Sequence, residues 1–259
     1  MSDFMDALAT DARATVDSGY YGQSVIAKHI SASLRNCILQ TAKMPVIAEV
    51  KGASPSKGTI KSNFSPEKIA QSMAQGGAVG ISVLTEPKHF AGSLENLARV
   101  RGNVTLPLLM KDIVISPKQL DAAAKVGANV VLLIQAIFDR GYGQLSLSEM
   151  VAKAHSKNLE VLLETHTANE FARAVTTEAD LVGINNRNLA TLKTDLNTTK
   201  SILAKCKPEG KVIVSESGIN TPVDLQFLRS CGAQAFLIGS AVMSANDVET
   251  KVREFVNLR

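Results

Sequence analysis

Short runs of consecutive apolar residues, rich in Val, Ile and Leu, alternate along the chain with longer stretches of helical periodicity. The runs are apolar throughout, as expected of parallel strands that are covered on both faces. Their starts lie roughly 20–35 residues apart, which leaves room for one helix and two short loops. The predicted strands are Pro45–Val50, Gly80–Leu84, Pro107–Met110, Asn129–Ile134, Glu160–Leu163, Leu181–Ile184, Lys211–Val214 and Ala235–Ile238.

A weak internal repeat supports this pattern. Gly76-Gly77-Ala78, Val126-Gly127-Ala128 and Cys231-Gly232-Ala233 each close a helical pattern and lead into a predicted strand. Glycine after a helix supplies a left-handed cap, so these segments indicate one recurring helix–loop–strand joint. Eight such units in succession predict the α/β class and a (β/α)8 TIM barrel. A doubly wound open sheet is the alternative, but the G-x-G-x-x-G turn typical of its first strand is missing here.

An extension of 44 residues precedes the predicted barrel. Within it, Ser24–Gln40 has apolar residues at near-helical spacing, which predicts a helix packed on the barrel. No shift in composition marks a second domain. We therefore expect a single domain over residues 1–259, with the N-terminal helical extension at 1–44 and the barrel at 45–259.

Composition narrows the classes of protein to consider. The chain has 259 residues, of which 45% are hydrophobic and 20% charged, values that exclude a disordered or coiled-coil protein. No apolar stretch approaches the ~18 residues of a membrane helix. The acidic N-terminus does not resemble a secretory signal, so we expect a cytoplasmic protein. The net charge of +4 is spread along the chain, which suits an anionic small molecule better than nucleic acid.

Polar residues follow several of the apolar runs directly. Glu49 and Lys51 end the first strand, Lys111 follows the third, Glu164 the fifth and Asn185 the sixth. The carboxyl ends of the strands form the active site in (β/α)8 barrels, so these side chains are expected to converge. A lysine facing a glutamate suits acid–base chemistry on a carbonyl or hydroxyl compound. Schiff-base formation by Lys111 is an alternative.

The last two strands are followed by a predicted phosphate site. Ser217-Gly218 comes after strand seven and Gly239-Ser240 after strand eight, where many such barrels bind phosphate. Glycine lets backbone N–H groups approach the oxygens, and a short helix at Ser240–Met243 would point its positive end at them. We expect a small phosphate ester as substrate. Neither the cysteines nor the histidines have metal-ligand spacing, and no nucleotide-binding loop is present, so we expect no metal and no cofactor.

From Pro45 to Arg259 the sequence resembles the indole-3-glycerol-phosphate synthase family of tryptophan biosynthesis. The most specific segment is Ile47–Gly58, which is similar to the family's E-x-K-x-x-S-P-S signature. Further matching segments are Ser82–Glu86, Phe90–Ser93, Leu109–Asp112, Gly183–Leu189, Ser215–Ile219 and Phe236–Ser240. The resemblance implies a carboxy-lyase that closes the ring of 1-(2-carboxyphenylamino)-1-deoxyribulose 5-phosphate, with loss of carbon dioxide and water, to give indole-3-glycerol phosphate.

The resemblance also implies roles for the catalytic residues. Lys111 is expected to protonate the substrate ketone during ring closure, and Glu164 to assist the removal of water. Glu49 is expected to support proton transfer. Lys51 and Asn185 are expected to hold the anthranilate carboxylate and orient the reacting carbons. Two further residues are expected near them, Arg187 and Ser217.

Binding residues follow from the same resemblance. The phosphate is expected to contact Ser54, Gly218, Gly239 and Ser240. The wall around the aromatic ring is expected to contain Phe90, Leu132, Leu189 and Leu192, for which packing in the core is an equal alternative. The chain departs from the family at Ile113, where a phenylalanine usually encloses the substrate ring.

Other functions remain open on sequence alone. Phosphoribosylanthranilate isomerase would be expected to use a Cys/Asp pair at the strand ends, and the three cysteines lie elsewhere. A phosphate aldolase would form a lysine adduct. A non-catalytic phosphate-binding barrel would not need Glu49, Lys51, Lys111, Glu164 and Asn185 together. Association with other enzymes of the same pathway is left open.

Overall fold

Eight parallel strands form a closed barrel in the computed structural model, in which each strand pairs with its neighbours in the chain and the last with the first. The model describes residues 3–22, 26–54, 58–59, 64–189 and 191–258, with backbone alone at 53, 54 and 59. The predicted TIM barrel is therefore confirmed. The barrel strands are β1 Val46–Val50, β2 Gly80–Leu84, β3 Leu108–Lys111, β4 Val130–Ile134, β5 Glu160–Thr165, β6 Leu181–Asn185, β7 Val212–Glu216 and β8 Ala235–Ile238.

Helices follow the barrel strands and cover their outer faces, so the strands are buried on both sides as their apolar runs predict. A short antiparallel pair, Ala53–Ser54 with Gly58–Thr59, follows β1. The helices are α1 Phe4–Asp17, α2 Leu34–Gln40, α3 Pro66–Gln75, α4 Leu94–Arg101, α5 Pro117–Lys125, α6 Gln135–Asp139, α7 Leu147–His155, α8 Ala168–Ala174, α9 Asn197–Leu203, α10 Pro222–Ser230, α11 Ser240–Met243 and α12 Val248–Val256, with a 3-10 turn at Tyr20–Gly22.

Strand boundaries differ from the predicted ones mainly at the carboxyl ends. β3 includes Lys111, β5 continues through Glu164 and Thr165, β6 includes Asn185 and β7 runs to Glu216. These polar residues stay in the ladder because a neighbouring strand pairs with them, as Asn185 pairs with Glu216. Their backbones are therefore held by the barrel itself, where the sequence suggested positions just beyond the strands. β1, β3, β4 and β7 each begin one residue later than predicted.

The repeated helix–loop–strand joint is confirmed at its three glycines. Gly77, Gly127 and Gly232 have φ values of 96°, 80° and 107°. A residue with a Cβ adopts this left-handed conformation only at a cost, which explains why glycine recurs at these positions.

The predicted helix over Ser24–Gln40 is wrong for most of its length. Ile26–Ser33 is not helical, and the helix begins only at Leu34. The carboxylate of Glu160 accepts the N–H groups of Leu34 and Arg35, at 2.8 and 3.2 Å, which fixes the helix start there. Ile26 is 78% exposed, so the apolar spacing did not correspond to a buried helix face. Ser24 and Val25 lie outside the described residues.

Helix α1, which the sequence pattern did not predict, lies across the carboxyl ends of the strands. Asp3 and Asp6 form a capping box at its start, and both bind Arg140 in the segment that follows β4. In the middle of the helix Asp11 binds Lys88 and His89 in the segment that follows β2. Since both segments follow carboxyl ends of strands, α1 spans the side of the barrel where the predicted site lies.

Candidate active site

A cavity of about 420 Å³ lies at the carboxyl ends of the barrel strands. Of the residues predicted from sequence, those that line it are Glu49, Lys51, Phe90, Lys111, Leu132, Glu164, Asn185, Arg187, Leu189, Ser217, Gly218, Gly239 and Ser240. Leu192 is not among the lining residues; Leu196, farther along the same loop, is. The side chain of Ser54 lies outside the described part of the structure. The barrel thus brings together residues from positions 49 to 240 of the chain.

Lys111 ends β3 and extends its ammonium group between two carboxylates. Its Nζ lies 3.1 Å from Oε2 of Glu164 and 3.3 Å from Oε2 of Glu216, and both glutamates are almost completely buried. Burial alone would lower the pKa of Lys111, but the negative charges of Glu164, Glu216 and Glu49 outweigh it and raise the pKa. The lysine is therefore held in its charged form, as a proton donor requires and a Schiff-base nucleophile does not.

Glu216 is a site residue to which the sequence patterns assigned no role. Burial raises the pKa of its carboxyl group, against the opposing effect of Lys111. Gly183, on the neighbouring strand β6, makes room for the carboxylate, since a Cβ at that position would overlap with Oε1. Its position was visible in the sequence, because Glu216 lies in the segment Ser215-Glu216-Ser217-Gly218 at the end of strand seven. Only Ser217 and Gly218 of that segment were assigned a role, in phosphate binding. Glu216 completes a cluster in which one ammonium faces two carboxyl groups.

A second ion pair lies on β1 and directly after it. Lys51 Nζ is 2.8 Å from Glu49 Oε1, and their side chains are only 11% and 5% exposed. Gly239 lies against this pair: a Cβ there would be 2.7 Å from Lys51 Nζ and closer still to Glu49. The absence of a side chain at Gly239 therefore makes room for the side chains of Glu49 and Lys51.

Asn185 holds the cluster from the side of β6, and Arg187 in turn binds Asn185. The Asn185 side chain donates to Oε1 of Glu164 at 2.9 Å and accepts the N–H of Arg187, also at 2.9 Å. The guanidinium Nε of Arg187 donates to Thr194 at 3.2 Å. Burial lowers the pKa of Arg187, although the charges of Glu49 and Glu164 oppose this. Asn185 thus fixes which oxygen of Glu164 faces Lys111.

The predicted phosphate-binding segments lie side by side at the carboxyl ends of β7 and β8. Ser217 and Gly218 both have left-handed backbones, with φ of 66° and 84°. Helix α11 begins at Ser240, as the sequence predicts, with Gly239 before it. This arrangement supports an anion site, because the exposed N–H groups at a helix start attract negative charge.

Part of the cavity lining is apolar. Besides the predicted Phe90, Leu132 and Leu189 and the already noted Ile113, it contains residues that the sequence did not single out, namely Leu8 of helix α1 and Leu84, Ile134, Leu196 and Leu237. Phe90 is positioned by Glu86, a buried residue whose carboxylate accepts the backbone N–H of Phe90 at 3.0 Å. Ile113 lines the cavity, so its branched side chain helps to shape this apolar part.

Three further features concern the described residues as a whole. The three cysteines are free, and each is partly exposed. Within the ranges that the structure describes, every helix is too short or too polar to span a membrane, and no group of three or more His, Cys, Asp or Glu side chains is placed to hold a metal ion.

Comparison with known sequences identifies close relatives. The family model described as indole-3-glycerol phosphate synthase matches residues 10–255. A protein of that name from Burkholderia vietnamiensis is 40% identical over 256 residues, which cover 95% of this chain and 96% of the relative. The proteins of the same name from Bordetella pertussis and Methanocaldococcus jannaschii are 43% and 44% identical, over 84% and 83% of this chain and 81% and 78% of their own lengths.

Comparison with solved structures finds the same barrel in more distant proteins. An N-acetylmannosamine-6-phosphate 2-epimerase from Clostridium perfringens is similar with a TM-score of 0.60 and 16% identity, over 83% of this chain and 93% of that one. A thiamine phosphate pyrophosphorylase from Pyrococcus furiosus gives a TM-score of 0.59 and 18% identity, over 86% and 96%. At such identities the similarity concerns the fold alone.

Proposed function

The chain belongs to the indole-3-glycerol phosphate synthase family, and we propose that its cavity closes the indole ring with Lys111 as the acid that protonates the substrate ketone. The enzyme is a carboxy-lyase: it converts 1-(2-carboxyphenylamino)-1-deoxyribulose 5-phosphate into indole-3-glycerol phosphate, carbon dioxide and water. The observation that carries the assignment of roles is the position of Lys111 Nζ, 3.1 and 3.3 Å from two buried carboxylates.

The two halves of the cavity suit the two ends of this substrate. The phosphate would lie at Ser217-Gly218 and Gly239-Ser240, where backbone N–H groups are available to it. The aromatic ring would lie against the apolar side that contains Phe90. The ketone carbon, between these two ends of the substrate, then comes to the middle of the cavity beside Lys111. Lys51, 11% exposed, offers its charge to the anthranilate carboxylate.

Ring closure is the first chemical step. The amino nitrogen attached to the benzene ring donates electron density into that ring, and the ring carbon that bears the carboxylate attacks the ketone carbon. The carbonyl π electrons move to oxygen, which takes a proton from Lys111. Glu164 and Glu216 stabilise the ammonium form of Lys111 before it gives up the proton, because both lie within ion-pair distance. For the same reason they favour reprotonation of Lys111 afterwards.

Decarboxylation follows from the geometry of that intermediate. The carboxylate now sits on a tetrahedral carbon, and its C–C bond electrons return to the ring as carbon dioxide leaves. The apolar side of the cavity favours this step, since a carboxylate is less well solvated there than in water and the neutral product is not penalised. Lys51 would hold the carboxylate until the bond to the sugar carbon has formed.

Dehydration makes the new five-membered ring aromatic. A proton must leave the methylene carbon next to nitrogen, while the hydroxyl formed from the ketone takes a proton and departs as water. Glu164 is placed to act here, because Asn185 fixes its carboxylate at 2.9 Å and Lys111 lies on its other side. Glu49, paired with Lys51, would pass protons between the site and solvent.

The proposal is tested by mixing the purified protein with the carboxyphenylamino ribulose phosphate, without metal or nucleotide, and following indole fluorescence. Product formation that disappears in Lys111→Ala supports it. If borohydride instead traps a substrate adduct on Lys111, the lysine acts as a Schiff base and the assigned role is wrong. Turnover that survives in Lys111→Ala would also contradict it.

Three further inferences stay predictions. We infer a single domain over residues 1–259 from the even composition, a cytoplasmic location from three cysteines without a disulfide pattern, and no nucleic-acid partner from the dispersed charge. Limited proteolysis, cell fractionation and a gel-shift assay, respectively, test them.

A further inference from the structure

Asn186 follows the catalytic Asn185 in the chain, yet its side chain points into a different set of contacts. It is 1% exposed and lies beside two completely buried hydroxyl residues, Thr199 of α9 and Ser215 of β7. The Asn186 Nδ2 donates to the hydroxyl of Ser215 at 3.0 Å and to the backbone carbonyl of Ser217 at 3.1 Å. Its Oδ1 accepts from the N–H and the hydroxyl of Thr199, at 3.2 and 2.8 Å.

The Ser217 carbonyl belongs to a turn whose backbone is unfavourable for a residue with a side chain. Ser217 has φ of 66°, a left-handed value that persists in a non-glycine residue only where surrounding contacts impose it. The next residue, Gly218, packs so closely that a Cβ there would be 2.7 Å from Thr194 and 3.0 Å from Leu196. The bond from Asn186 thus acts on the strained residue of the segment proposed to bind phosphate.

The same side chain also substitutes for a helix cap. Helix α9 has Leu196 at its N-cap position, which offers no side-chain acceptor. Asn186 Oδ1 accepts the N–H of Thr199, a bond that a capping Ser or Asp normally makes. The loop from Arg187 to Leu196, which contributes Leu189 to the apolar wall, is therefore held at both ends, by β6 and by this cap.

We propose that Asn186 is a positioning residue for phosphate recognition, which holds Ser217 in its left-handed conformation and so presents the Ser217-Gly218 turn to the substrate phosphate. This rests on the proposed placement of the phosphate. Asn186 lies outside the cavity lining and is expected to act on substrate only through the turn. Substrate affinity should therefore depend on Asn186 more than the chemical steps at Lys111 do.

The test compares Asn186→Asp, Asn186→Ala and the control Ser215→Ala. Asn186→Asp is nearly isosteric and keeps the acceptor for Thr199, but places a carboxylate oxygen against the Ser217 carbonyl. Asn186→Ala removes the donor without adding charge. Ser215→Ala removes a different buried bond of the same Nδ2 and leaves the bond to Ser217 in place. The probe is sulfate, whose charge does not change over the pH range used, together with KM and kcat for the substrate.

We expect both Asn186 variants to bind sulfate at least about tenfold more weakly at neutral pH and to raise KM more than they lower kcat. A buried aspartic acid takes up a proton as the pH falls and then becomes a donor, so Asn186→Asp should recover sulfate affinity in acid, relative to wild type at the same pH. Asn186→Ala should not recover. Ser215→Ala should lose thermal stability with sulfate affinity close to wild type.

Normal sulfate affinity in Asn186→Ala would overturn the inference and assign the Asn186→Asp effect to charge repulsion alone. An equal loss of affinity in Ser215→Ala would also overturn it, because the effect would then be general to the buried network. If sulfate fails to compete with substrate in the wild-type enzyme, the proposed phosphate site itself is wrong, which is a separate result.

Discussion

The ammonium nitrogen of Lys111 lies 3.1 Å from Oε2 of Glu164, and the other oxygen of that carboxylate accepts a hydrogen bond from Asn185 at 2.9 Å. The two residues come from strands β3 and β5, which are not neighbours in the barrel. Their contact therefore crosses the barrel end and lies where the substrate ketone is proposed to bind. In the proposed roles, the acid for ring closure and the group for dehydration are thus adjacent, so the second proton that the departing hydroxyl needs can come from the same pair.

Variants of Lys111 and Glu164 are expected to block the reaction at different steps. Lys111→Ala should lower turnover by about 10²–10⁴-fold, because Lys51, which also lines the cavity, is paired with Glu49 and assigned to the carboxylate. Glu164→Gln keeps the shape but cannot exchange a proton, so a ring-closed hydroxylated intermediate should accumulate. Rapid quench of both variants, with product separation, checks this.

The control for this pair is Lys153→Ala, which removes an exposed lysine of α7 and should turn over normally. Thermal unfolding of each variant separates a catalytic loss from a folding loss. If Lys111→Ala accumulates the ring-closed species, or Glu164→Gln accumulates only substrate, the two roles are reversed.

Gly239→Ala is expected to impair chemistry as well as binding. An added Cβ would lie 2.7 Å from Lys51 Nζ and overlap with the Glu49 carboxylate, so the ion pair must move. Both kcat and KM should change, in contrast to a site that only accommodates phosphate. Gly102→Ala is the matched control, since a Cβ there makes only an ordinary contact, 3.6 Å from the Arg99 carbonyl. An unchanged kcat in Gly239→Ala would contradict the prediction.

Lys51 is expected to recognise the anthranilate carboxylate. Lys51→Met should raise KM and lower kcat, because the charge that holds the carboxylate in the site is lost. A substrate analogue without that carboxylate should bind wild type and Lys51→Met with similar affinity, as measured by competition. Lys153→Met provides the control for loss of a lysine charge. If the analogue distinguishes the two forms as strongly as the substrate does, Lys51 has another role.

Asp112 should make folding stability depend on pH. Burial raises its pKa from 3.8 to about 6, although bonds from Thr85 and Tyr21 oppose this. The folded state then binds more protons than the unfolded state between these values, so stability decreases as the pH rises through that interval. Relative to Asp112→Asn, wild type should lose up to about 3 kcal/mol across it. Urea unfolding from about pH 3.5 to about pH 7.5 measures this difference.

Asp247→Asn gives a control of opposite sign. Asp247 caps helix α12, and its bonds from Thr250 lower the pKa of its carboxyl group below 3.8. A lowered pKa contributes stability above 3.8 that is lost as the pH falls, so wild type should lose its advantage over this variant in acid. A stability difference for Asp112→Asn that does not vary with pH would contradict the raised pKa.

The barrel and most of its site residues were predictable because each depends on local patterns. Apolar runs that are buried on both faces specify parallel strands, and the polar residue that follows each run must emerge at the same end of the barrel. Lys111, Glu164 and Asn185 are identifiable in this way from the amino-acid sequence alone. The short helix at Ser240–Met243 and the left-handed glycines such as Gly77 are likewise evident from residue type.

The N-terminal segment was not predictable in the same way. Apolar spacing over Ser24–Gln40 resembles that of a helix, but the helix begins only at Leu34. Its start is fixed there by Glu160, which lies 126 positions farther along the chain. Helix α1 was not predicted, although Asp3 and Asp6 form its capping box. Its place over the cavity depends on Arg140 and on other residues far along the chain, which no local pattern reveals.

The pairing of the catalytic groups was decided by the tertiary structure alone. The sequence by itself determined which residue types emerge at the carboxyl ends of the strands, because the apolar runs and their lengths are local properties. It did not determine that Glu216 faces Lys111 at 3.3 Å, or that Gly183 on the neighbouring strand leaves the space for it. Those relationships depend on barrel closure and register, which bring distant strands into contact and set the charges that each buried group experiences.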